Sequence, residues 1–117
     1  MFRWRSMRAT ALLVALIAGT LAVSESAAGY TSVGSGATSC EAWSATRLSP
    51  NAPETAMQQQ WVVGFLSGIG SMVLGELDPL HGVDAVAVYG WVDRYCHDHP
   101  TDTIEAAARV FIQEHPR

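Results

Sequence analysis

Little of this chain is left to fold once its first 28 residues are set aside. Met1–Arg8 carries three arginines, Ala9–Val23 is an apolar run, and Ser26-Ala27-Ala28 gives a small-residue exit. That order is the pattern of a secretory signal peptide over residues 1–28. A helical run of 15 apolar residues reaches only about 22 Å against a hydrocarbon core of about 30 Å, which suits cleavage better than anchoring. Cleavage after Ala28 leaves 89 of the 117 residues. A domain of that size buries only about 60 to 65 per cent of the surface its unfolded form exposes, so it needs a covalent staple. The same size argues against a deep enzymatic cleft, and the chain is read as a non-enzyme.

The staple is available. Cys40 and Cys96 are the two cysteines, and an exported chain enters an oxidising compartment in which a thiol pair closes. Closing so long a loop stabilises a fold by about 4 kcal/mol on the chain-entropy argument, comparable to the whole margin of a small core. A second reading makes Cys96-His97-Asp98-His99 a metal site, since all four side chains ligate zinc or copper. The two readings compete for Cys96, and neighbouring residues on a helix point about 100° apart, which scatters the ligands. The expectation is therefore a disulfide, with no metal and no cofactor.

Charge narrows the partners. Beyond residue 28 there are four arginines and ten acidic residues, a formal balance of −6, and the chain has no lysine. Without a basic patch, neither nucleic acid nor an anionic membrane is an expected partner after signal cleavage. Protonating the acids and the four histidines carries this charge to about +8 near pH ~2, a large swing on a small body.

Residues 29–39 are rich in Gly, Ser and Thr without apolar periodicity and read as a flexible N-terminal arm; residues 40–117 read as a single helical domain. Cys40–Arg47 is a short helix with Cys40 and Trp43 on one face, and Pro50 and Pro53 break the chain after it. From Glu54 to about Leu74, Trp61, Val62, Phe65, Leu66, Ile69, Met72 and Val73 follow a helical apolar period. Gly64, Ser67, Gly68, Ser71 and Gly75 form a second stripe without bulk. Interior glycines cost about 1 kcal/mol each, so close helix packing at Gly64 and Gly68 is expected, either within the chain or across a homodimer. Val83–His97 reads as a third helix on the spacing of Val88, Trp91, Val92 and Tyr95. Asp102-Thr103-Ile104-Glu105 has the spacing of a capping box, opening a last helix that runs to about Glu114. The fold class is all-α, a small four-helix domain stapled by one disulfide.

Ser67 does not lie in a nucleophile elbow, because Phe65 and Ile69 stand where glycines are needed. The four histidines fall in loops or at helix ends. Trp43, Trp61, Phe65, Tyr89, Trp91, Tyr95 and Phe111 are many aromatics for 89 residues; core packing accounts for most of them, and Trp61, Phe65, Ile69 and Trp91 are the expected client or partner surface.

The Cys40-x-x-Trp43 helix, the run Trp61-Val62-Val63-Gly64-Phe65-Leu66-Ser67-Gly68, and Trp91-Val92-Asp93-Arg94-Tyr95-Cys96-x-x-His99-Pro100-x-Asp102-Thr103 together resemble the HdeA/HdeB-type small periplasmic proteins. The resemblance implies a helical fold with a Cys40–Cys96 bridge, and an acid-stress chaperone that loosens at low pH and exposes apolar surface to unfolded periplasmic clients. It also implies that the core helix supplies both dimer and client surface. A similar element order occurs in the immunity proteins that block secreted cell-wall amidase toxins, which implies instead a one-to-one inhibitory partner.

Overall fold

The computed structural model describes residues 30–72 and 75–117. The signal-peptide reading of residues 1–28 and the core position of Val73 lie outside them. The described residues form four helices, α1 (Cys40–Arg47), α2 (Pro53–Met72), α3 (Ala85–Asp98) and α4 (Ile104–Glu114), preceded by a 3-10 turn at Gly34–Ala37. No strand is present among them, and Cys40 and Cys96 are joined in a disulfide. The all-α, singly stapled fold expected from the sequence is the fold observed. With Cys96 in the bridge, the metal reading loses its strongest ligand.

Side-chain caps open three of the helices. Ser39 accepts from the Ala42 amide, Asp84 from Ala87 and Thr103 from Ala106, each satisfying a donor that has no partner inside its own helix. The last helix therefore starts one residue later than the capping-box reading had it. Thr103 has the extended backbone and the free hydroxyl at the cap, and Glu105 bonds Arg109 one turn onward rather than reaching back.

The core is built around the staple. Cys40, Trp43, Val62, Leu66, Val88, Val92, Cys96, Ile104, Ala107, Ala108 and Phe111 are buried, so every helix contributes. Cys40 lies at the start of α1 and Cys96 near the end of α3, and the pair Trp43 and Asp93 lies next along, so these helices run antiparallel. The chain before α1 also pairs with the chain before α4. Cys40 N donates to Asp102 O (2.7 Å), Glu41 N to Pro100 O (3.0 Å) and Ile104 N to Thr38 O (2.9 Å). The first amides of α1 thus find carbonyl partners across the fold rather than in solvent.

Two polar side chains are buried where α1 turns into α2. The Thr55 hydroxyl lies 2.9 Å from Thr46 O and 2.8 Å from Ser49 O, and Gln58 Oε1 accepts from Thr46 Oγ1 at 2.5 Å. These bonds fix the proline-containing loop over the core. Met72, expected on the apolar face, is 80% exposed. It is the last residue of α2, where no other helix among the described residues covers it.

Candidate functional site

The four expected surface residues do not form one patch. Trp61 and Phe65, one turn apart on α2, are half-buried and stacked with ring centroids 5.1 Å apart and an interplanar angle of 11°. Ile69, a further turn along, is also half-buried. Trp91 belongs to a second grouping between α3 and α4. It stacks on Tyr95 (5.5 Å), meets Phe111 edge-on (5.2 Å), and donates from Nε1 to Glu114 Oε2 at 3.2 Å. His99 stacks on Tyr95 and His115 on Phe111, each with its ring Nδ1 about 3 Å from the carbonyl four residues back. Both histidines thereby cap their helices and cover aromatic faces.

The Trp61–Phe65 grouping is covered by the chain's own N-terminal segment. Trp61 Nε1 donates to Val33 O at 3.2 Å, and Gly36 is buried so closely under the indole that a Cβ there would overlap the ring. Residues 34–37, within the segment read as a flexible arm, thus form a turn lying on α2 and α4. Gly34, also against Trp61, has φ +83°, a conformation that glycine adopts without strain.

Among the described residues, nothing packs closely on Gly64 or Gly68. A Cβ built at either position meets no atom within 4 Å. Among the described residues, the intramolecular form of the close-packing expectation is not met, because the neighbouring helices meet α2 along its Val62–Leu66 side. Gly64, Ser67 and Ser71 face outward, and α2 has no charged residue between Glu54 and Met72.

Two carboxylates hold the elements together. Asp93 Oδ1 accepts from Trp43 Nε1 (2.7 Å), and its two oxygens take a paired contact from Arg47 Nε (2.9 Å) and Nη2 (3.0 Å). Trp43 is fully buried, and Asp93 accepts from its one side-chain donor. Glu105, 6% exposed, accepts from Arg109 Nε at 2.9 Å. Burial pushes its carboxyl up, but the contacts of Ser32, Arg109 and Tyr30 and the charge of Arg109 more than offset this, leaving it below the usual glutamate value. The Ser32 hydroxyl is buried without a hydrogen bond of standard geometry, yet lies near enough to this carboxylate to favour its charged form. Arg109 in turn lies 4.4 Å from the Tyr30 ring and 5.8 Å from the Phe65 ring.

Tyr95 donates to Asp102 Oδ2 at 2.5 Å. Burial, that hydrogen bond and the Asp102 charge push its phenol up to about 12. Sequence reading placed Tyr95 in a helical stripe, Glu105 in a capping box and Asp93 in a motif, and gave none of the three these contacts. One signal for Asp93 was present: Cys40-x-x-Trp43 is mirrored by Asp93-x-x-Cys96, and antiparallel helices joined at the cysteines bring the third residue on each side together. Glu105 had only its i, i+4 spacing to Arg109, because Tyr30 and Ser32 lie more than 70 residues upstream in a segment without periodicity. No family model, curated protein or solved structure matches the chain.

Proposed function

We propose that this chain is a non-enzymatic periplasmic protein of the acid-stress chaperone kind, compact at neutral pH and loosened in acid to offer apolar surface to unfolded clients. The observation that carries this reading is the Asp93 clasp. One carboxylate serves both the indole of a fully buried tryptophan and an arginine of the same helix. Trp43 and Arg47 thus depend on a single carboxylate, and acid carries the molecule to a net positive charge whose self-repulsion loosens the helices. The disulfide holds α1 to α3 throughout, so opening is confined to a partly folded state. At pH ~2–3 the purified protein should bind a hydrophobic dye and keep an acid-labile client soluble at near-stoichiometric ratio, and do neither at pH ~7. Protein that stays folded, dye-silent and inactive against aggregation in acid would refute the reading.

A second reading, an immunity protein that blocks a secreted cell-wall amidase, is favoured by one separate observation. The outward face of α2 around Gly64 and Gly68 is uncharged and open without any acid-induced change. On that reading a one-to-one complex forms at neutral pH, and Gly68→Leu abolishes it.

A further inference from the structure

The residues expected to capture a partner, Trp61 and Phe65, already have an occupant. Three contacts seat the N-terminal segment on them: the Trp61 Nε1 bond to Val33 O, the bulkless Gly36 under the indole, and Tyr30 over the Arg109 guanidinium. Such a seat accepts an extended chain through a main-chain carbonyl, requires a small residue over the tryptophan, and takes an aromatic ring six residues earlier. None of these demands is specific to this chain's own N-terminus. Unfolded proteins present such segments in quantity.

We propose that Tyr30–Ala37 is an intramolecular strap over the Trp61–Phe65 surface, and that its release frees this surface for extended segments of an unfolded partner. The inference rests on the reading of the chain as a partner-capturing protein and specifies where and how capture is controlled.

The strap's Tyr30 rests on Arg109, which Glu105 holds. The ionisable groups facing that carboxylate are Arg109 from its own helix and Tyr30 from the strap; α2 contributes the uncharged Phe65, and Ser32 adds a hydroxyl. Because Glu105 is depressed below its ordinary value of 4.5, its contribution is complete above that pH and lost as pH falls through the native value. Protonation leaves Arg109 without its charged partner and so loosens the guanidinium on which Tyr30 rests. Strap release then requires strong acid, and the helices need not open for it.

The test is hydrogen exchange and hydrophobic-dye binding at pH 7 on the full disulfide-bonded protein. Gly36→Leu places a side chain where the indole stands, and Glu105→Gln removes the charge while keeping the shape. In both variants, exchange of residues 31–37 should rise about tenfold or more, the factor lost with a charge-assisted hydrogen bond. The helices should keep their protection and dye should bind, while the unaltered protein stays dye-silent. A strap still protected in both variants, or a freed strap with no dye bound, overturns the proposal. If Gly36→Leu or Glu105→Gln unfolds the helices, Tyr30→Ala at an exposed position decides between the same two outcomes. A client that aggregates although strap and dye behave as stated counts against the chaperone reading alone.

Discussion

Asp93 shows how much one surface-facing carboxylate does in a small fold. It is over a third exposed, yet it is the acceptor for the buried Trp43 indole and for both nitrogens of the Arg47 fork. Asp93→Ala should cost about 1–3 kcal/mol in denaturant melts at pH 7, because a buried donor is left unsatisfied. Asp93→Asn retains one acceptor for Trp43 and should cost less. Equal losses in the two variants would mean that charge pairing with Arg47, not the tryptophan bond, dominates. Tyr95 governs the opposite end of the pH scale. Its phenol is raised to about 12, so the stability it contributes is complete below pH 10 and declines as pH rises through the native value. Tyr95→Phe should flatten that alkaline decline in thermal melts taken between pH 9 and pH 12. An unchanged alkaline profile would assign the decline to other groups.

Among the elements, α2 carries the main disagreement between pattern and packing. Its glycines point to a helix pressed close, whereas Gly64 and Gly68 look into open space among the described residues. For an isolated protomer, Gly68→Ala should therefore stabilise by about 0.5–1 kcal/mol through helix propensity and loss of unfolded-state freedom. A destabilised Gly68→Ala variant whose melting midpoint depends on protein concentration would show that a second copy covers this face. Element positions were legible from the sequence because the 3.6-residue period, the prolines and the caps are local signals. α1 ends as expected at Arg47, and α3 is a helix despite its valines, because Val88 and Val92 form a buried helical stripe. The exposure of Met72 and the cap at Thr103 were not legible, because each depends on which neighbour is absent or which hydroxyl is free.

For the whole molecule, the disulfide sets the margin. It closes a loop with a sequence separation of 56 and joins α1 to α3 within the buried core. Cys96→Ser should lower stability by about 2–5 kcal/mol, read from thermal melts with and without reductant, and an unchanged melting temperature would show that the bridge contributes nothing. The sequence alone determined that the fold is helical, where most helices begin and end, and which two residues staple it. These follow from periodicity, backbone restrictions and the presence of only two cysteines. Tertiary structure alone decided that Trp61 and Phe65 lie under the N-terminal segment, that Tyr30 rests on Arg109, and that Trp91 meets Phe111 in a separate aromatic grouping. Those relations join residues far apart in the chain through shape and charge, and no local pattern records them.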